Sequence, residues 1–230
     1  HRGDLIRLVQ RPAQRERGRG LRLRRFEEGL EILTRCFAGK RFTFEGKRYQ
    51  ARDVEIKPSY VQPGGPPLWV AASSPEGAKR AARFNAHLLP QGPYETTIQV
   101  WIDELRSTGR SPRDYRVGII KPVFVTENRD RDWPKIRAAE RFRMEYYAQA
   151  FKAAGRDAPP DQDKERISQN WVVGDVDYCV SELTDFIKTN RITDLVTWAV
   201  PPGLRPGDVA NSLQKFATKV VPRIKEILIS

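Results

Sequence analysis

The sequence predicts an α/β protein assembled from parallel βα units, and three observations carry that prediction. Four short apolar runs, at 68–71, 86–89, 117–125 and 194–200, are each followed by a stretch in which apolar residues recur every three or four positions. The runs are continuously apolar rather than alternating, as strands covered on both faces require. Strand and helix patterns also alternate along the chain, which favours crossover helices over packed hairpins.

Each element has a local reason. Phe26, Leu30, Leu33 and Phe37 fall at helical spacing and Gly39 follows them, so a helix is expected over 21–38. Phe42-Thr43-Phe44, then Gly46-Lys47, then Tyr49-Gln50-Ala51 read as a hairpin around a glycine turn. Residues 57–67 hold four prolines and two glycines and are expected to run as an extended connector. Leu68-Trp69-Val70-Ala71 is the first apolar strand, with a helix expected over 75–84. A strand at 86–89 leads to a helix over 94–107. The run 117–125 is interrupted by Pro122 and precedes a long charged helix over 133–154. Residues 155–168 are polar and read as a loop. A helix over 177–189, a strand over 194–200 and an amphipathic helix over 206–227 complete the pattern.

Composition narrows the function. Nine arginines stand against Asp4 and Glu16 in residues 1–25, which is +7 of the net +12. The excess marks residues 1–20 as a basic arm, expected to be flexible, ahead of one domain over 21–230. Such an arm suits nucleic acid or an acidic partner, but aromatic residues for base stacking are absent from it, and a solvated arm is the preferred reading. The two cysteines, Cys36 and Cys179, supply neither a disulfide framework nor a metal site, which points to a reducing, cytoplasmic setting. No run has the apolar length to cross a membrane, and none of the strands leads into a glycine-rich phosphate loop.

Several stretches then match a known family. Arg25-Phe26-Glu27-Glu28-Gly29-Leu30-Glu31-Ile32-Leu33 resembles a helix of the luciferase-like monooxygenases, and Phe44-Glu45-Gly46-Lys47-Arg48-Tyr49 is similar to the hairpin that follows it. Pro66-Pro67-Leu68-Trp69-Val70-Ala71-Ala72-Ser73-Ser74-Pro75, continuing through Ala81-Ala82-Arg83 to Leu89-Pro90, resembles the family's strand and turn. Val173-Gly174-Asp175 and the closing Phe216-Ala217 with Val220-Val221-Pro222-Arg223 extend the likeness collinearly over about residues 21–228. The resemblance implies a (βα)8 TIM barrel, of which residues 68–200 would supply strands five to eight. The chain would then be a half barrel with an N-terminal helix and hairpin insertion, the C-terminal portion of a longer protein. Its open sheet edges imply a homo-oligomer or pairing with a complementary barrel chain.

Family members use reduced FMN with oxygen, or a deazaflavin, on small organic substrates. The resemblance therefore implies a flavin-dependent monooxygenase. A coenzyme F420-dependent oxidoreductase is the alternative, with a non-catalytic barrel subunit and a basic binding module behind it. Active sites of such barrels lie past the C-terminal strand ends, here the loops 72–76, 90–93, 126–130 and 198–203. The first is the main cofactor candidate. Ala71, Ala72, Ser73 and Ser74 are small, the serines offer hydroxyls, and the next helix points its positive end at the turn. A flavin phosphate there is what the resemblance implies. Plain capping is the alternative, through a Ser73–Glu76 box or through Ser74 ahead of Pro75. Gly92 is a second cofactor-contact candidate and otherwise a turn residue. Trp69 and Trp198 are candidate walls of the substrate pocket and otherwise packing residues. His87, early in its strand, reads as packed or solvent-facing, and both cysteines read as packing residues. No metal-ligand spacing and no catalytic acid or base is assigned, which suits chemistry carried by a cofactor.

Overall fold

The computed structural model describes residues 19–58, 60–155, 170–198 and 200–229. The basic arm (but for its last two residues) and the expected loop over 155–168 (but for Gly155) lie outside them. The chain divides into two compact units, His1–Leu88 with Gln99–Tyr115, and Leu89–Ile98 with Arg116–Ser230.

The first unit opens with α1 (Arg19–Phe37) and the antiparallel hairpin β1 (Phe42–Glu45) and β2 (Gln50–Val54). Phe44 and Ala51, buried and opposite one another, fix its register. The Glu28 carboxylate ties the hairpin to α1. It accepts from three successive backbone N–H groups, those of Lys47 at 3.1 Å, Arg48 at 2.9 Å and Tyr49 at 3.0 Å. Next come β3 (Trp69–Ala72), α2 (Pro75–Arg83) and β4 (His87–Pro90), where the chain passes into the second unit. β3 and β4 begin side by side, with the His87 N–H donating to the Leu68 carbonyl at 2.8 Å. α2 buries Ala78, Ala81 and Ala82 completely, so its inner face can lie close to the strand. α3 (Tyr94–Ser107) has the bounds its periodicity predicts. Its Trp101 is buried and donates its indole N–H to the Ala86 carbonyl at 3.3 Å.

In the second unit the run 117–125 forms two strands, not the single one expected. β5 (Gly118–Ile120) pairs in parallel with β8 (Asp194–Val196), and β6 (Val123–Val125) pairs in parallel with β7 (Val172–Gly174). The change of partner falls at Pro122. The Lys121 N–H still bonds to Val196 and the Pro122 carbonyl accepts from Val172, but proline has no N–H with which to continue the first ladder. The described residues therefore hold four two-stranded sheets; the four-stranded arc of a half barrel is not formed as one continuous sheet. β8 also stops at Val196, short of the expected residue 200.

Both faces of the β6–β7 pair are buried. Val123, Val125 and Val172 face Cys179, Val180 and Leu183 of α5 (Val176–Asn190), together with Val220 and Ile224. Phe124 and Val173 face the other way, onto Trp171 and Ile136. Ile136 belongs to α4 (Arg129–Ala153), which starts four residues before the expected position. Asn128 caps it by accepting from the Arg131 N–H at 2.9 Å, so Pro134 lies inside the helix instead of opening it. The closing helix is interrupted too. α6 (Pro206–Lys215) passes through a π-helical turn, Phe216–Val220, into α7 (Val221–Ile229). Pro222 brings no N–H and its ring crowds the carbonyl four residues back; the widened turn makes room for it. Cys179 is fully buried as expected, and burial pushes its thiol up to about 12. Cys36 is half-buried, its thiol raised by the same cause.

The loop from β6 to α4 is organised around a buried carboxylate, that of Asp132. It is bonded by Arg131 at 2.9 and 2.7 Å, by the Thr126 hydroxyl at 2.7 Å and by Lys135 at 3.1 Å. The Arg131 guanidinium, helped by the Thr126 hydroxyl and Lys135, holds this carboxyl well below its usual 3.8.

Two outcomes follow from these contacts. Glu28→Ala should lower unfolding stability by about 1–2 kcal/mol in a denaturant titration, because three hairpin N–H groups lose a charged acceptor. Asp132 has a folded pKa below its unfolded one, so its contribution is complete above about pH 4 and is lost as pH falls below that. Asp132→Asn should therefore be less stable than the parent by about 1–3 kcal/mol at pH 7, and melting temperatures measured from pH 5 to pH 2 should show the gap closing.

Candidate functional site

The turn from β3 to α2 is built from small residues for a steric reason. A Cβ on Gly77 would lie 3.1 Å from the Ala72 Cβ, tighter than ordinary packing, so the first turn of α2 rests directly on the end of the strand. Ser74 has extended backbone angles and is the N-cap. Its hydroxyl oxygen accepts from the Gly77 N–H at 3.3 Å, and Pro75 takes the first helical position. The Ser73–Glu76 capping box is not formed, because with Ser74 as cap the third helical residue is Gly77, which has no side chain to reach back. Glu76 instead leans on Lys79 at 3.5 Å with 71% of its side chain exposed. Ser73 lies exposed at the turn.

Capping and anion binding do not compete at Ser74. The hydroxyl accepts from Gly77 through a lone pair and keeps its own proton to donate. The Ser73 hydroxyl, the small Ala71 and Ala72, and the positive end of a nine-residue helix stand at the same turn.

The other candidates separate by position. Trp69 is the first residue of β3, at the opposite end of the strand from this turn. Its ring packs on His87, 4.9 Å between centroids, and His87 packs in turn on Tyr115 at 6.1 Å. Trp69 and His87 thus belong to an aromatic cluster at the strand starts in the first unit. Gly92 and Trp198 belong to the second unit. Gly92 has φ +94°, a conformation that glycine alone adopts without strain, and a Cβ there would meet no other atom within 4 Å. Trp198 follows the end of β8 by two residues, is 41% exposed, and carries the Arg143 guanidinium over its ring, 4.3 Å from the centroid.

Sequence reasoning missed three features. Gly77 was not singled out, although a glycine inside the first helical turn is a signal of close backbone approach. The Glu140–Arg143 pair beside Trp198 has i, i+3 spacing, yet nothing in the charged sequence of α4 marks Glu140 as buried. A cleft of about 560 Å³ is lined by Lys135, Ala139 and Phe142 of α4 and by Pro202, Leu204 and Asp208; its two walls lie sixty residues apart in sequence. Among the described residues no His, Cys, Asp or Glu cluster could hold a metal ion, and no helix is long and apolar enough to cross a membrane.

Comparison with known proteins agrees with this architecture. The chain is 24% identical over 221 residues to an F420-dependent glucose-6-phosphate dehydrogenase from Mycolicibacterium gilvum, covering 90% of this chain and 62% of the relative. It therefore spans less than two thirds of that relative's length. Among solved structures it superposes on a monooxygenase from Streptomyces bottropensis with a TM-score of 0.72 and 20% identity, over 89% of this chain and 62% of the other. It also superposes on the oxygenating constituent of 3,6-diketocamphane monooxygenase from Pseudomonas putida, solved with FMN. There the TM-score is 0.62 and identity 18%, over 85% of this chain and 62% of the other. At these identities the structural likenesses carry the fold. The family model for luciferase-like monooxygenases matches residues 10–190, most of the chain, and the protein belongs to that family.

Proposed function

We propose that the chain carries the phosphate-binding side of a flavin-type cofactor site in an oxidoreductase acting on a small organic substrate. The observation that carries this reading is the Ala72–Ser74 turn, where two serine hydroxyls, small neighbours and the start of α2 converge. On this reading β3, β4, the 117–125 segment and β8 correspond to strands five to eight of a (βα)8 barrel, which puts the turn and Trp198 past C-terminal strand ends. The chain then works as a homo-oligomer or with a complementary barrel chain.

Ser73 and Ser74 donate their hydroxyl protons to the phosphate, and Ala71 and Ala72 keep its approach to the backbone open. Gly92 lets the chain turn sharply after β4, and Trp198 borders the substrate. Trp69 has a packing role beside His87. When bound, reduced FMN supplies the electrons that activate oxygen, or F420 exchanges a hydride with the substrate. FMN and oxygen are the first form of the proposal, supported by the description of the family and by a monooxygenase relative solved with FMN. The F420 form is favoured by the name of the M. gilvum relative, a match over 90% of this chain. Oxygen uptake with reduced FMN, against anaerobic turnover with F420, separates the two.

The phosphate seat is tested by titrating the chain with FMN and with riboflavin, which lacks the phosphate. FMN should bind about tenfold more tightly, a difference of about 1.4 kcal/mol. Ser74→Asp keeps an N-cap acceptor and should preserve the melting temperature while repelling phosphate, so FMN weakens about tenfold and riboflavin does not change. Ser74→Ala should instead cost about 1 kcal/mol of stability. Equal affinity of the parent for FMN and riboflavin would remove the phosphate from this turn.

A further inference from the structure

Two carboxylates of α4 are buried, Asp132 and Glu140. Asp132 is held by its own loop. Glu140, 3% exposed, is gripped by Arg143, whose Nε donates to Oε2 at 2.9 Å while Nη2 donates to Oε1. Two parallel bonds to one carboxylate fix the plane of a guanidinium as a single bond cannot. A helix-surface ion pair needs no such burial: Glu76 and Lys79, at the same i, i+3 spacing, leave 71% and 44% of their side chains exposed, whereas those of Glu140 and Arg143 are 4% and 23% exposed. Burying a carboxylate is unfavourable unless its partner is held well. This arrangement therefore asks what the fixed guanidinium is for.

The guanidinium lies over the Trp198 indole, 4.3 Å from the ring centroid, with the Tyr147 ring at 5.7 Å. A cation over an aromatic face is attracted to its π density. Trp198 stands two residues past β8 and remains 41% exposed. One side of the indole is thus covered by a held cation while much of the ring stays open. Density drawn toward the guanidinium leaves the open side better suited to an electron-rich ring.

We infer that Glu140 is a positioning residue: acting through Arg143, it holds the Trp198 indole as a fixed wall past the end of β8, against which the planar, electron-rich ring of an aromatic substrate stacks. The inference rests on the proposed reading that Trp198 borders the substrate. It adds the residues that hold this wall and the class of molecule the wall takes.

The test reads Trp198 directly. The chain has five tryptophans, so the Trp198 emission is taken in each background as the difference from the matching Trp198→Phe protein. Acrylamide quenching of that component should rise about twofold in Glu140→Gln and in Arg143→Lys, which keeps the charge but loses the planar fork. The double variant should be no more quenched than Arg143→Lys alone, because Glu140 acts through Arg143. Affinity for 2-naphthol, the aromatic probe, should fall about fivefold in Glu140→Gln and further in Trp198→Ala. Unchanged quenching in a folded Glu140→Gln protein overturns the positioning role. If that variant does not fold, Arg143→Gln takes its place, with the same rise expected and the same null result decisive. Unchanged 2-naphthol affinity in Trp198→Ala would instead sink the substrate-wall reading, whatever the quenching shows.

Discussion

A parallel ladder of three residues cannot hold itself together, and the second unit depends on how its helices compensate for that. β6 and β7 exchange only a few backbone bonds, so their stability comes from side chains buried on both faces. Val123, Val125 and Val172 pack toward α5 and the closing helix, while Phe124 and Val173 pack toward Trp171 and α4. Strict alternation along three residues thus recruits helices on opposite sides. The strand ends, and the loops that leave them, are fixed as a consequence. Loops held in this way can carry polar groups at set positions without contributing to the core.

Two polar side chains, Ser74 and Arg143, are bonded within the chain while keeping a capacity to spare. Ser74 accepts the Gly77 N–H and retains a proton. Arg143 satisfies the buried Glu140 and still presents its guanidinium to Trp198. At position 77 a Cβ would lie 3.1 Å from the Ala72 Cβ, so the first turn of α2 and the end of β3 pack with little room between them. Packing and, on the proposed reading, contact with the cofactor fall there to the same residues. That is why spacing alone left capping and cofactor contact both open.

Much of the fold was legible in the sequence because the signals were local. The apolar spacing of α3 and the glycine turn of the β1–β2 hairpin each depend on a few neighbouring residues. The departures came where local rules competed. Pro122 marked an interruption, but which strands lay on either side of it is a non-local fact. The helix expected from residue 133 begins at Arg129, because Asn128 caps it. The closing helix expected over 206–227 contains Pro222 and is interrupted by a π-helical turn just before it. At the site, the strand-and-turn motif located Ser73 and Ser74. Trp69 reads as a pocket wall or a packing residue; its place at the start of β3 and its contact with His87 are non-local facts that spacing does not carry. Glu140 was not legible at all, because burial of one carboxylate in a charged helix depends on residues remote in sequence.

The central claim is that the turn between β3 and α2 receives the cofactor's phosphate, and the most direct measurement is amide chemical shifts of the 15N-labelled chain during titration with FMN and, separately, riboflavin. The account predicts that FMN moves the amides of Ser73, Ser74, Glu76 and Gly77 together and that riboflavin leaves those four in place. Shifts produced by FMN that cluster elsewhere, or that riboflavin reproduces at these amides, would contradict it.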